Sequence, residues 1–127
     1  MIKILIVDDD PVSAKLIEYT LLKNAYTVIV CTDGAEVIEQ VEKEKPALII
    51  LDLYLPNKTG LELTKELRAN PEFSATPIII ITEQGRDSIS DQLINAGAWS
   101  VYTKPFSPIQ LINRIKDIFS EIHASTP

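Results

Sequence analysis

Four short apolar segments of this chain each run directly into a polar residue. Residues 4–7 precede Asp8, residues 48–51 precede Asp52, residues 78–81 precede Thr82, and residues 101–103 precede Lys104. Nearly continuous apolar runs of this length are typical of strands buried on both faces of a parallel sheet. Because parallel strands end at the same edge, the pattern restricts the chain to folds that gather these polar residues around one point.

Five strands are predicted, at residues 3–7, 27–31, 47–51, 77–82 and 100–103. Helix signals separate the strands. Asp10 followed by Pro11 indicates an N-cap and first-turn proline, which open a helix to about residue 24. Two further helices are predicted where Asp33 and Glu36, and then Thr59 and Glu62, have capping-box spacing. Strict alternation implies an open, doubly wound α/β sheet, in which ligands bind beyond the carboxyl ends of the strands at the topological switch point.

The last two helices differ in how much apolar surface they carry. The fourth is predicted over about residues 87–95, ending near Gly97, and we expect it to be the least firmly held. The fifth opens at Ser107 and Pro108 and carries a continuous apolar stripe. The apolar residues of the fourth helix are Ile89, Leu93, Ile94 and Ala96, and those of the fifth are Leu111, Ile112, Ile115, Ile118, Phe119 and Ile122.

Composition excludes several classes of protein. At 127 residues the chain fits one domain, predicted at residues 1–123 with a tail at 124–127. No apolar stretch approaches the roughly 20 residues of a membrane span, so no membrane contact is expected. Cys31 is alone, which suits a reducing cytoplasm, and the N-terminal residues do not form a signal peptide. A net charge of −6 argues against direct binding to nucleic acid.

The polar residues at the strand ends predict a metal and phosphate site. Like charges at about 4 Å repel by roughly 4 kcal/mol at an effective dielectric constant near 20, so Asp8, Asp9 and Asp52 need a cation or a shared proton. Carboxylates without His or Cys favour Mg²⁺, with Ca²⁺ or Mn²⁺ as alternatives. Thr82 and Lys104 would complete a phosphate site. Asp52, alone at the end of the central strand, is the natural nucleophile for forming an acyl phosphate.

An ordered set of motifs accompanies these residues. The set comprises residues 4–11, residues 52–56 with Gly60, residues 77–82, Gly97-Ala98, and residues 103–106. It resembles the receiver domain of bacterial response regulators, including the chemotaxis regulators, over residues 2–122. This domain is the phosphoacceptor half of two-component signalling. The resemblance implies a flavodoxin-like fold, with a five-stranded parallel sheet of order 2-1-3-4-5 and helices on both faces.

The resemblance also implies roles for individual residues. Asp52 would accept a phosphoryl group from a histidine kinase or a histidine phosphotransfer protein, and Thr82 and Lys104 would contact the phosphoryl oxygens. Asp9 and Asp52 would bind Mg²⁺ directly, Asp8 would act at least through water, and the backbone carbonyl of Tyr54 would be a further ligand. Such a domain catalyses only its own phosphorylation and dephosphorylation. The fourth helix, fifth strand and fifth helix would then act on a downstream effector protein, as a monomer or a phosphorylation-linked dimer.

Some residues depart from the family pattern and keep alternatives open. Glu83 stands where a small residue is usual, and Val101 occupies the aromatic switch position, with Tyr102 expected on the opposite face of the strand. These departures favour a pseudo-receiver that binds partners without normally being phosphorylated, whereas the intact site residues oppose it. A third alternative is a metal-dependent phosphatase that acts on other substrates. The sequence argues against it, because such an enzyme needs a second acid two residues after the nucleophile, where this chain has Tyr54. Trp99 is expected either in a partner surface or half-buried at the sheet edge.

With no second domain in the sequence, any output is expected to pass through a partner protein. The alternative is that these residues belong to a longer protein and that residues 124–127 begin a linker.

Overall fold

A computed structural model describes residues 2–83 and 87–124. Its strands are β1 (Lys3–Val7), β2 (Thr27–Cys31), β3 (Leu48–Asp52), β4 (Ile78–Thr82) and β5 (Ser100–Thr103). Its helices are α1 (Pro11–Lys23), α2 (Val37–Glu44), α3 (Gly60–Ala69), α4 (Asp87–Ala96) and α5 (Pro108–Ala124), with a 3₁₀ turn (Gly34–Glu36) before α2. All neighbouring strands are parallel, in the order β2-β1-β3-β4-β5. The predicted sheet and strand order are confirmed.

The side chains of the sheet alternate between two apolar layers, because successive residues of a strand point to opposite faces. One layer contains Leu5, Ile49 and Ile80 and is covered by buried residues of α2, α3 and α4. The other contains Ile50 and Ile79 and is covered by α1 and α5. Every residue of β3 and β4 is buried, which explains why both strands are almost uniformly apolar in sequence.

Helix starts follow the sequence signals, with one exception. The Asp10 carboxylate accepts the Val12 N–H at 3.1 Å and caps α1. Thr59 and Glu62 form the predicted capping box at the start of α3. The capping box predicted for Asp33 and Glu36 is wrong, because the Asp33 carboxylate accepts the N–H of the second residue after it, at 2.9 Å. This hydrogen bond spans two residues instead of the three of a capping box. A 3₁₀ turn (Gly34–Glu36) follows Asp33, and α2 begins only after that turn.

Helix α4 and Trp99 have the burial that the sequence predicts. Leu93 is the fully buried anchor of α4, whereas Ile94 is exposed, in agreement with a thin apolar contact. Trp99 is half-buried and packs on the α1 and α5 side of the sheet. Helix α5 extends to Ala124, where the tail was expected to begin, and residues 125–127 lie outside the described part of the chain. Within the described residues, no helix combines the length and apolar character needed to cross a membrane.

Gly60 lets α3 start against the backbone of the last residue of β3. The Gly60 N–H donates to the carbonyl of Leu53 at 2.7 Å. A Cβ at this position would lie 2.6 Å from the Asp52 carbonyl oxygen and 2.9 Å from the Cα of Leu53. Since these neighbours are backbone atoms, they cannot rotate away, so any larger residue would displace either α3 or the end of β3.

Replacing Gly60 by Ala should therefore lower the free energy of unfolding by about 1–3 kcal/mol, the usual cost of overpacking. Urea unfolding would measure the change. The exposed Lys65→Ala on α3 is the control, expected to stay within about 0.5 kcal/mol of the wild type. A Gly60→Ala variant as stable as this control would show that the start of α3 moves away from Asp52 without cost.

Candidate functional site

Three carboxylates meet at the carboxyl edge of the sheet. Val7 of β1 pairs with Leu51 of β3, which places the following residues, Asp8 and Asp52, side by side. Asp8 is 2% exposed and Asp52 is 9% exposed, whereas Asp9 is exposed. One oxygen from each of the three carboxylates lies within 4.8 Å of the others. The predicted acidic cluster is thus confirmed as a spatial arrangement.

Lys104 bridges the two buried carboxylates. Its Nζ lies 3.2 Å from Oδ2 of Asp8 and 3.1 Å from Oδ2 of Asp52. The backbone holds the lysine in place, because the Lys104 N–H donates to the carbonyl of Thr82 at 2.8 Å. The following peptide bond, to Pro105, is cis. Burial acts to lower the pKa of Lys104, but the hydrogen bonds and charges of Asp52 and Asp8 outweigh it, so its pKa lies above the ordinary value.

Each buried carboxylate uses its two oxygens in the same way. Oδ2 accepts from Lys104, and Oδ1 accepts a backbone N–H two residues later, from Asp10 to Asp8 at 2.9 Å and from Tyr54 to Asp52 at 3.3 Å. Burial nevertheless raises the pKa of Asp8, even though the Asp10 N–H and Lys104 act to lower it. Burial thus outweighs these two contacts at Asp8. Counted with Asp9, three carboxylates face one ammonium group, so the site carries excess negative charge.

The donor set fits Mg²⁺. Oxygen atoms from Asp8, Asp9 and Asp52 are the hard ligands that this ion prefers, and no His or Cys belongs to the cluster. A partial protein ligand set is typical of Mg²⁺, which keeps several waters and accepts phosphate oxygens. Tyr54 lies beside the cluster with an exposed side chain. The contribution of its backbone carbonyl to metal binding stays a prediction.

A small cavity of about 150 Å³ opens above the cluster, and we call it the acid cleft. It is lined by Asp9, Asp10, Asp52, Tyr54, Glu83 and Lys104. The structure thus brings most of the predicted site residues to one cavity. Thr82 is fully buried at the end of β4, beside β5, and Asp8 is buried below the opening.

Val101 and Tyr102 lie on opposite faces of β5, as predicted. Val101 packs in the layer beneath α2, α3 and α4, and Tyr102 packs in the layer beneath α1 and α5. No aromatic side chain therefore occupies the position of the aromatic switch in β5. Tyr102 is packed beneath α5 and partly buried, so it cannot take over that position without a change in the strand.

Sequence reasoning missed the contact that holds the loop after Asp52. Asn57 adopts a left-handed φ of 71°, and its Nδ2 donates to both carboxylate oxygens of Asp33, at 2.9 and 3.0 Å. The Gly34 N–H donates to the carbonyl of Pro56 at 3.1 Å. The Asn57 hydrogen bonds lower the pKa of Asp33. A Pro-Asn turn was the available signal, because Asn tolerates this backbone conformation, but its distant partner was not readable.

An apolar groove, also missed, lies beside the acid cleft between α1 and the loop before α5. Val12, Leu16 and Tyr19 are 77%, 45% and 63% exposed and follow helical spacing along α1. Ile109 at the start of α5 is 75% exposed. One part of the groove, a cavity of about 440 Å³, contains Val12 and Leu16 and shares Asp10, Glu83 and Lys104 with the acid cleft. Clustered exposed apolar side chains of this kind mark interaction surfaces.

Comparisons with known proteins agree with this arrangement. The family model described as the response regulator receiver domain matches residues 4–116. The alkaline phosphatase synthesis transcriptional regulatory protein PhoP of Bacillus subtilis (strain 168) is 36% identical over 125 residues. The match covers 98% of this chain but 51% of PhoP, so the chain spans about half the length of that relative.

Solved structures show the same likeness. A putative response regulator from Chloroflexus aurantiacus J-10-fl is 36% identical with a TM-score of 0.89, covering 93% of this chain and 97% of that one. The BeF₃-activated N-terminal receiver domain of Klebsiella pneumoniae RstA is 32% identical with a TM-score of 0.84, covering 90% and 95%. The Vibrio cholerae chemotaxis protein CheY4 is 29% identical with a TM-score of 0.86, covering 92% and 98%.

The charge imbalance predicts that Asp8→Asn stabilises the protein in metal-free buffer. A raised pKa in the folded state means that ionising Asp8 costs stability, and this cost is present at neutral pH. It disappears as the pH falls below the ordinary Asp value near 3.8, where Asp8 is protonated in both states. Denaturant unfolding should show a higher free energy of unfolding for Asp8→Asn than for the wild type at pH 7, with a difference that shrinks toward pH 4.

Asp9→Asn is the control for this prediction, because Asp9 is exposed and should change stability much less. A loss of stability in Asp8→Asn at pH 7 would show instead that the pair with Lys104 outweighs the burial of the carboxylate.

Proposed function

The chain belongs to the response-regulator receiver domain family, and we propose on this premise that it is a phosphorylation-dependent signalling switch with Asp52 as its phosphoacceptor. The observation that carries the proposal is the shared ion pair of Lys104 with Asp8 and Asp52 at the carboxyl edge of the sheet. In a doubly wound sheet this edge is where ligands bind. A demand for positive charge beside a nucleophilic carboxylate suits a phosphoryl group that arrives with a divalent cation.

The proposed reaction is the transfer of a phosphoryl group from a phosphohistidine. An oxygen of Asp52 forms a bond to phosphorus, the phosphorus–nitrogen bond breaks, and its electron pair stays on the imidazole. Lys104 then pairs with a phosphoryl oxygen instead of the Asp52 carboxylate, and the Thr82 hydroxyl donates to another. Asp8, Asp9, Asp52 and the Tyr54 carbonyl would hold Mg²⁺, which would supply positive charge for the phosphoryl oxygens. Positioning and charge neutralisation account for the catalysis.

The proposed output is a change in the surface formed by α4, β5 and α5. Thr82 ends β4, and its carbonyl accepts the Lys104 N–H just after β5. A movement of Thr82 toward the phosphoryl group on Asp52 would therefore displace the ends of both β4 and β5. Downstream effectors, a phosphorylation-linked dimer, a cytoplasmic location and the domain boundary at residue 123 belong to this proposal. PhoP is a transcriptional regulatory protein, and this chain matches only about half of its length. A transcriptional role for a longer protein that contains this chain therefore also belongs to the proposal.

The pseudo-receiver hypothesis is less well supported. It rested on Glu83 and Val101, whereas the proximity of Asp8, Asp52 and Lys104 supports phosphorylation. Asp52 keeps one oxygen within reach of Lys104, at 3.1 Å, and lines an open cavity. A site retained only as scaffold would not need two buried carboxylates that share one ammonium group, because buried charged groups cost stability.

The expected phosphodonor is a protein that docks in the apolar groove. The groove borders the acid cleft through Asp10, Glu83 and Lys104, so a helix lying against Leu16 and Ile109 would bring its phosphohistidine to Asp52. An amphipathic helix is the natural occupant of such a surface. We therefore propose a histidine kinase or histidine phosphotransfer protein as the donor, with the groove as its docking surface.

The first test is fluorine NMR of the protein with beryllofluoride, which mimics the phosphoryl group without any donor. Bound signals are expected with Mg²⁺ for the wild type and for the exposed control Glu42→Gln, and they should be lost without Mg²⁺ or in Asp52→Asn. Folded wild-type protein that binds no beryllofluoride at any Mg²⁺ concentration would favour the pseudo-receiver.

If the protein donor binds in the apolar groove, Leu16→Gln should slow its phosphorylation of the chain about tenfold. The rate with acetyl phosphate should be unchanged. A buried Leu contributes about 1.5–3 kcal/mol, and Leu16 would bury only part of its surface on docking. The donor is the purified phosphorylated kinase or phosphotransfer domain that transfers fastest to the wild type. The control is Leu22→Gln, because Leu22 is exposed on the same helix but does not line the apolar groove. Equal effects in both variants would contradict the proposed groove.

A further inference from the structure

Glu83 stands at the junction of the two cavities described above. It follows Thr82 at the end of β4, is exposed, and lines both the acid cleft and the part of the apolar groove next to it. A phosphoryl donor that reaches Asp52 from the groove therefore enters a cleft whose lining includes Glu83. Within the described part of the chain, Lys104 is the one cationic residue that lines either cavity beside Glu83.

The lining of the acid cleft is strongly biased toward negative charge. It contains four carboxylates, those of Asp9, Asp10, Asp52 and Glu83, and one ammonium group, Lys104. Lys104 is already shared between Asp52 and the buried Asp8. Three of the four carboxylates have a role, since Asp9 and Asp52 belong to the proposed metal site and Asp10 caps α1. Glu83 adds a fourth negative charge to the lining and lies outside the acidic cluster of Asp8, Asp9 and Asp52.

We infer that Glu83 is a specificity-determining residue, which repels small anionic phosphoryl donors and so leaves the site to donors that dock in the apolar groove. A freely diffusing donor gains almost all of its binding energy from charged groups, so an extra carboxylate at the entrance weakens its binding directly. A docked protein gains binding energy from Leu16 and Ile109 and can place a basic side chain or an N–H opposite Glu83. The same carboxylate therefore selects between the two classes of donor.

The expected size of the effect follows from a like charge in a water-filled cleft. An interaction of this kind changes encounter and binding by about three- to tenfold at low ionic strength. It also falls with added salt, because the screening length shrinks from about 10 Å at 0.1 M to about 3 Å at 1 M. A steric effect of the same side chain would not respond to salt, so ionic strength separates the two causes.

The test compares wild-type protein with Glu83→Gln, which keeps the shape of the side chain and removes its charge. The measurement is the initial rate of Asp52 phosphorylation at saturating Mg²⁺, with acetyl phosphate or with the less negatively charged phosphoramidate as donor. The variant should react about three- to tenfold faster with acetyl phosphate at low salt and gain less with phosphoramidate. Both ratios should approach one near 1 M salt. Glu42→Gln, which removes the same charge from the exposed face of α2, should match the wild type.

Several outcomes would overturn the inference. Equal rates for wild type and Glu83→Gln would show that the charge does not act on the donor. Acceleration in Glu83→Ala but not in Glu83→Gln would assign the effect to size. A tenfold or greater loss of Mg²⁺ affinity in Glu83→Gln, measured by titration calorimetry, would make Glu83 a metal ligand instead.

The inference rests on the proposed function, and the experiment separates the two. Absence of phosphorylation of wild type and variant by either donor, together with no beryllofluoride binding, would remove the proposed function and this inference with it. Phosphorylation at equal, salt-independent rates would remove the inference alone.

Discussion

Two nearly buried carboxylates that share one lysine are the constraint on which the rest of this structure depends. Asp8 and Asp52 end neighbouring strands, and Lys104 contacts both from the end of β5. Their mutual repulsion would be costly without the ammonium group and the two backbone N–H donors that satisfy their other oxygens. Because one positive charge faces two negative ones and the exposed Asp9 lies beside them, this edge of the sheet carries excess negative charge that a bound cation would neutralise.

Several features away from the carboxylates serve to hold this edge of the sheet. Gly60 allows α3 to begin against the carbonyl of Asp52, and Asn57 ties the following loop to Asp33. The loop between Asp52 and Gly60 also carries Tyr54, whose N–H donates to the Asp52 carboxylate. The acid cleft is thus lined by residues at the carboxyl ends of β1, β3, β4 and β5. A site with this many backbone contacts is preorganised for charge stabilisation, which is the main requirement of phosphoryl transfer.

Local patterns in the sequence were sufficient to predict most of the fold. Apolar runs identified the five strands to within a residue at each end, and the caps at Asp10 and Thr59 formed as their spacing indicates. These signals depend on neighbours a few residues apart, so they can be read directly. The capping box predicted at Asp33 did not form, because that carboxylate accepts the Ala35 N–H; it also accepts hydrogen bonds from the distant side chain of Asn57. Contacts between residues far apart in the chain leave no such local signal.

For the candidate site, the sequence by itself determined which chemical groups gather, because parallel strands must end at a common edge. Carboxylates, a hydroxyl and an ammonium group were therefore predictable there, as was a preference for Mg²⁺. Only the tertiary structure decided that Lys104 bridges Asp8 and Asp52, that an apolar groove on α1 opens beside them, and that Glu83 lies between groove and cleft. These relations depend on how helices pack across the sheet, which brings together side chains from segments that carry no trace of one another in sequence.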